Sequence, residues 1–283
     1  VTPLVVAAVL LAAVTHASWN AIAHGIRDQL LAFTLVGGGG ALCGAVLLTC
    51  TPVPVPAAWP YLVASAVIHI LYQALLMRSF RLGDFGQMYP IARGTAPLVV
   101  TVLAAVFVHE LPDAWALAGV ALASAGLVGL AVWGIRGAGT SPHWAAIVAA
   151  LATGLSIAAY TTVDGLGVRA SGSPLGYIAW LMILQGLVIP AYALATRRRR
   201  LLTELRPLAV RGVAGGILSV FAYGLVLWAQ TRAPLAPIAA LRESSIIVGA
   251  AIGALFFKER FGAPRIAAAG LMVVGIGLML HTG

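Results

Sequence analysis

PIARGTAPLVVTVLAAVFVHE at 90–110 and AALRESSIIVGAAIGALFFKE at 239–259 run in parallel. Each carries an arginine, Arg93 or Arg242, in a largely apolar helix-length stretch, and each ends 17 residues later on a glutamate, Glu110 or Glu259. The offset is 149 residues, slightly more than half the chain, and at that offset Gly126 meets Gly275 and Leu122 meets Leu271. Weaker parallels need a small shift of register: AIAHGIR at 21–27 with TTVDGLGVR at 161–169, and Tyr72 to Arg81 with Tyr223 to Arg232. A chain that repeats itself once, with a charge at the same place in both apolar halves, follows a recurring plan of transporters whose site lies between repeats.

Composition settles the class. Hydrophobic residues make up 61% of the 283, charged residues only 9%, and the mean hydropathy is +1.01. A soluble domain carries about 25% charged residues, so this chain cannot solvate a globular surface and reads as an integral membrane protein. The formal charge of +9 has no basic face or base-stacking pattern beside it, which excludes a nucleic-acid partner; the partner is the lipid bilayer. Cys43 and Cys50 lie seven apart in one apolar stretch and read as packing residues. No HExxH or CxxC is present, and no metal or cofactor is expected. The first apolar stretch lacks a basic leader and a small-residue cleavage signal, so it is expected to be a spanning helix.

Apolar runs of about 20 residues, the length that crosses a bilayer, are broken by short Gly, Pro or Arg punctuation. The expected spans are 3–23, 30–50, 58–80, 84–108, 113–135, 143–165, 174–196, 207–230, 234–257 and 262–281. The fold class expected is therefore all-α integral membrane: ten transmembrane helices as two five-helix repeats, 1–137 and 138–283, around a central cavity. Five is odd, so the second repeat enters with inverted topology. Arg27, Arg78, Arg81, Arg136, Arg197 to Arg200, Arg206, Arg211, Lys258, Arg260 and Arg265 fall at one face of this arrangement, only Arg169 and Arg232 at the other. The positive-inside rule makes the richer face cytoplasmic and both termini external, periplasmic in a bacterial inner membrane.

Polar side chains in hydrocarbon are costly and turn inward. Stripes at helical spacing occur on the first span (His16, Trp19, Asn20), the third (His69, Tyr72, Gln73), the fourth (Gln87, Tyr89, Arg93), the sixth (Thr153, Ser156, Tyr160), the eighth (Ser219, Tyr223, Gln230) and the ninth (Arg242, Glu243, Ser244). These six are expected to surround a polar cavity, with the second, fifth, seventh and tenth as buttresses. Pro90 and Pro97 flank Arg93 and make the fourth span the hinge candidate, since proline removes a backbone donor and kinks a helix.

The five-plus-five plan, the first span ending in Trp19 and Asn20, and the short junctions at Glu110 and Glu259 resemble the drug/metabolite transporter superfamily, EamA branch. Glu-Leu-Pro and Glu-Arg-Phe stand where that branch has characteristic Glu-containing helix junctions, with His109 and Lys258 in place of the commoner glycine. Within the branch the chain is most similar to bacterial amino-acid exporters of the YddG kind. The resemblance covers essentially the whole chain and implies a ten-helix basket that exports neutral or aromatic amino acids. An uncharged loop at 51–56 and a basic one at 197–207 depart from the branch's common pattern.

The residues themselves suit such a cargo. A zwitterion needs a cation for its carboxylate, and guanidinium forks onto carboxylate in two bonds, which gives Arg93 and Arg242 that role. Glu243 is the candidate acceptor for an ammonium. Trp19, Tyr72, Tyr89, Tyr160 and Tyr223 offer faces for a side chain or a cation, with Asn20, Gln73 and Ser244 as polar neighbours. Each has a structural alternative. Arg242 and Glu243 could pair with each other or bridge to Arg93; His16 and His69 could be packing residues or proton carriers; Asp164 could cap the end of the sixth helix. Glu243 beside arginine would make a poor proton shuttle, which leaves proton-coupled and facilitated transport both open. The other functions compatible with the pattern are a multidrug or nucleoside exporter and a non-transporting sensor or assembly subunit. An enzyme is not expected, because no acid/base or metal constellation converges. A built-in repeat removes the need for a second subunit, so a functional monomer is expected.

Overall fold

Backbone N–H and C=O groups have no water to bond in a bilayer, so a spanning segment must satisfy them internally. This chain does so by helix. A computed structural model describes residues 1–82, 85–137, 144–248 and 262–281, and among them no strand occurs. The helices are α1 (Pro3–His24), α2 (Gln29–Leu48), α3 (Trp59–Leu82), α4 (Phe85–Leu103), α5 (Ala114–Gly137), α6 (Trp144–Ala170), α7 (Pro174–Gly186), α8 (Val188–Arg197), α9 (Arg200–Leu205), α10 (Ala209–Gln230), α11 (Leu235–Arg242) and α12 (Ala263–Leu280). Among the described residues seven helical stretches are long and apolar enough to cross a membrane, and Ala114–Leu130 and Ile266–Leu280 are shorter apolar helices. Leu42, Val46, Val63, Val67 and Val210 are exposed on the outside, the surface that lipid rather than water accepts. The chain is a multi-pass membrane protein.

Helix ends are set locally. Pro3 opens α1, a position where its missing N–H costs nothing. Asp28 caps α2 by accepting from the N–H groups of Leu30 and Leu31 at 3.0 and 3.3 Å. Asp113 accepts from Ala116 ahead of α5, and Ser173 from Gly176 at the start of α7. At the far end of α4 the helix widens into a π turn over Ala104–Val108, closed by His109 in the left-handed region at φ 57°. Glycine is the residue such a position favours, which explains what the substituted junction has to accommodate.

Helices occupy the expected segments with three differences. The expected 174–196 span is divided into α7 and α8 at Leu187. The last five residues of the expected 84–108 span, after α4 ends at Leu103, form the π turn. The expected 234–257 span is interrupted: α11 stops at Arg242, Glu243 and Ser244 form a turn, and helix resumes at Ser245. There the N–H groups of Glu243 and Ser244 bond to Ala240 and Leu241, three residues back, so the ladder is tightened within the apolar layer. The remainder of that span, with Lys258, Glu259 and Arg260, lies outside the described residues, as do the side chains of Arg81, Gln87, Tyr89, Pro90, Arg136 and Arg265.

Packing joins the two halves of the chain throughout. α1 lies against α10 and α3 against α6; α2 meets α10, and α3 meets α7; α4 meets α6, and α1 meets α11; α2 packs on α7, and α5 on α12. Small residues permit the closest approaches. A Cβ placed on Gly216 of α10 would lie 2.6 Å from the carbonyl carbon of Gly39 on α2, and one placed on Gly275 of α12 would lie 2.7 Å from the carbonyl oxygen of Gly119 on α5.

Candidate functional site

The polar stripes of α1, α3, α6 and α10 converge on one cavity. It encloses about 90 Å³ and is walled by His16 and Trp19 of α1, His69, Tyr72 and Gln73 of α3, Tyr160 of α6, Tyr223 of α10, and Arg242 at the end of α11. Two helices expected to be buttresses take part as well: Phe33, Val36, Gly37 and Gly40 of α2, and Met182, Gln185 and Gly186 of α7. Their contribution is mostly apolar or glycine, so polarity alone could not reveal it. Gln185 was the visible signal, and it accepts from Gln73 Nε2 at 3.4 Å. Conversely, no described residue of α4 lines the cavity.

The reason lies with Arg93. It is 2% exposed and buried beneath the cavity wall, its Nε 2.6 Å from Glu243 Oε2. This contact is an ion pair that meets off the N–H axis. Nη2 also donates to Ser245 Oγ at 3.1 Å. Of the two alternatives, the one in which Glu243 bridges to Arg93 is the arrangement found: Glu243 is 1% exposed and paired with Arg93. Ser244 is buried in the adjoining turn and does not reach the cavity wall.

Arg242 is placed differently. Adjacent residues point about 100° apart on a helix, so it turns away from the Arg93–Glu243 pair toward the cavity. Its Nη2 donates to the Tyr160 hydroxyl at 3.1 Å, and its guanidinium carbon lies 5.8 Å from the centre of that ring. Among the described residues it makes no ion pair with a carboxylate, and its Nε has no hydrogen-bond partner.

Aromatic rings complete the wall. His69 stacks on Tyr160 with centroids 3.9 Å apart, Tyr72 and Tyr223 meet His69 edge-on, and Tyr72 meets Tyr160 at 5.5 Å. His69 Nδ1 lies 3.0 Å from the carbonyl oxygen of Ser65 and 3.1 Å from its hydroxyl. Trp19 Nε1 donates to His16 Nδ1 at 3.3 Å. Asn20 donates to the carbonyl of His16 at 2.8 Å and is not part of the wall.

One residue was misread in the sequence. Asp164 does not end α6; it is fully buried within it, six residues before the helix closes at Ala170. Tyr177 Oη donates to its Oδ1 at 2.9 Å and Tyr223 donates to its Oδ2. The signal available in advance was an acid that follows a long apolar run with no break before it, a costly placement in hydrocarbon that needs a purpose.

Beyond Asp164, one end of the bundle is tied by Glu110. Its carboxylate takes Arg169 Nη1 at 2.7 Å and the N–H of Leu235 at 2.8 Å, while Arg169 also donates to the carbonyls of Gln230 and Ala233. At the other end Arg197 joins Asp28 at 2.5 Å and Glu204 at 2.7 Å. Burial alone would raise the Asp28 carboxyl, but the hydrogen bonds from Arg197 and from the Leu31 and Leu30 N–H groups outweigh it and hold the group below the ordinary carboxylate range.

Comparison with known proteins agrees with this architecture. One solved crystal structure has the same fold over 98% of this chain and 95% of its own, with a TM-score of 0.69 at 16% sequence identity. No curated protein matches the chain in sequence. Residues 144–281, which hold α6 to α12, match the EamA-like transporter family.

Proposed function

We propose that the whole chain is a transporter of the EamA-like, drug/metabolite type, an alternating-access carrier that exports small carboxylate-bearing metabolites, with neutral and aromatic amino acids as the favoured class. Arg242 carries this reading: a buried guanidinium on the cavity wall, without a carboxylate partner among the described residues and ringed by aromatic faces. A carboxylate would complete the charge, and Tyr72, Tyr160, Tyr223 and Trp19 would accept an apolar or aromatic body. With Glu243 committed to Arg93, an ammonium would rest against tyrosine faces and the oxygens of Gln73 or Gln185. The cavity volume of about 90 Å³ is below the about 300–1,000 Å³ of drug-sized sites, which favours compact metabolites over multidrug cargo.

The inverted-repeat reading, with halves at 1–137 and 138–283, has support in the packing. Exchanging the first five expected helices for the second five carries α1·α10 into α3·α6, α2·α10 into α3·α7, and α4·α6 into α1·α11, and leaves α2·α7 and α5·α12 unchanged. Such exchange symmetry is what two related halves around a common site produce.

The test is counterflow in proteoliposomes preloaded with single amino acids. Phenylalanine or another neutral amino acid should accelerate uptake of its labelled form, and Arg242→Ala should weaken its apparent affinity about 10- to 100-fold, the worth of a lost charged hydrogen bond. No exchange with any amino acid by folded protein would overturn the substrate class; exchange with nucleosides instead would move it there.

A further inference from the structure

Asp164 is the acid that the proposed transport cycle leaves without a task. It lies one helical turn beyond Tyr160, about 6 Å along the axis, on the side of the cavity facing the Glu110–Arg169 tie. Among the described residues the groups that hydrogen-bond its carboxylate are the hydroxyls of Tyr177 from α7 and Tyr223 from α10. The charged and titratable groups around it are His69 on α3, Tyr160 on its own helix and Arg242 on α11; none forms an ion pair with it among the described residues. Glu243, the other acid deep in the apolar layer, is paired with Arg93 at 2.6 Å.

We propose that Asp164 binds the proton that drives transport, reached from the cavity through Tyr223. The proposal rests on the transporter reading above. The route is continuous: Tyr223 lines the cavity and bonds the carboxylate directly. A phenol hydroxyl donates one proton and accepts others, so Tyr177 and Tyr223 satisfy both states of the acid. With Asp164 ionised, Tyr177 and Tyr223 donate to it, as found. When a proton arrives, an O–H bond forms on Oδ2, and Tyr223 turns from donor to acceptor; when it leaves, the electron pair stays on the oxygen and Tyr223 turns back. A hydroxyl that reorients at the cavity wall places the protonation state of Asp164 in contact with the cargo. Substrate leaving and proton entering then use one wall at different times, which is the requirement for antiport.

Two measurements on the full chain reconstituted in lipid test this. Infrared difference spectra recorded across about pH 8 to 5 should show a carboxylic C=O band growing as pH falls. It should be absent in Asp164→Asn and displaced in Asp164→Glu, which keeps the acid if the amide variant folds poorly. In the same vesicles, the ratio of phenylalanine accumulation with and without an imposed pH gradient should exceed one for the native chain and fall to one in Asp164→Asn. A native spectrum without a titrating band assignable to Asp164 overturns the proposal, and so does gradient-driven accumulation that survives in Asp164→Asn. Should the native chain carry no amino acid at all, the substrate class fails while the infrared titration still decides whether Asp164 binds the proton.

Discussion

Arg93 and Arg242 occupy equivalent places in the repeated passage, yet the side chain after each decides what it does. Gly94 follows the first and Glu243 the second, so one half of the molecule supplies an anion that the other half's arginine takes up. The result is a neutralised pair spanning the two halves at 2.6 Å and one cation left facing the cavity. Glu243→Gln should strand Arg93 in the interior and cost about 3–5 kcal/mol, whereas replacing both residues by apolar ones of similar volume should cost much less. Thermal unfolding in detergent separates the two outcomes, and equal losses would show that the pair is not what the site depends on. The residue types at the site were legible, because arginine, tyrosine and histidine at helical spacing inside apolar runs have few other uses. Which arginine met the cavity was not, since that choice rests on a contact between residues 150 apart in the chain. Asp164 was misread for the same reason: its partners Tyr177 and Tyr223 arrive from other helices.

At the scale of elements the apolar runs predicted helices well, because in hydrocarbon the backbone has no other way to satisfy itself. Less legible was the role of α2. Its composition, Gly-rich and without charged groups, suggested a buttress, yet Gly37 and Gly40 line the cavity while Gly39 meets Gly212 and Gly216 of α10. Glycine serves here by what it omits: a side chain at the crossing would hold the two helices apart. Gly216→Val should therefore destabilise the protein by about 1–3 kcal/mol, the range for overfilling a packed contact. Gly224 on the same helix has open space where a Cβ would go, and Gly224→Ala should be neutral or stabilising by up to about 1 kcal/mol. Thermal melts of the two variants side by side provide the comparison. A Gly216→Val protein as stable as the native one would mean that α2 and α10 can separate without loss.

On the scale of the whole molecule, the cavity lies between two polar ties, and each crosses from the first half of the chain to the second. Asp28 to Arg197 closes one end and Glu110 to Arg169 the other. A carrier that exposes one site alternately to two sides needs contacts that break at one end while holding at the other, and ion pairs exposed at helix ends are weak enough, at about 0–1 kcal/mol each, to serve. The Asp28 end also has a defined pH dependence. Its carboxyl is held below the ordinary range in the folded state, so its contribution is complete above the unfolded value near pH 3.9 and is lost as pH falls through the lower folded value. The tie is accordingly intact at neutral pH, and Asp28→Asn mimics the acid state without acid. With Cys43 and Cys50 replaced by serine, a cysteine at Thr161 reports access from the Glu110 end, because Thr161 is buried and its carbonyl takes Gln230 Nε2 beneath that tie. Arg169→Ala should raise the rate at which an impermeant thiol reagent labels it, and Asp28→Asn, which loosens the opposite end, should lower that rate. Labelling that responds to neither variant would show that these ties fasten the bundle without governing which side the cavity faces.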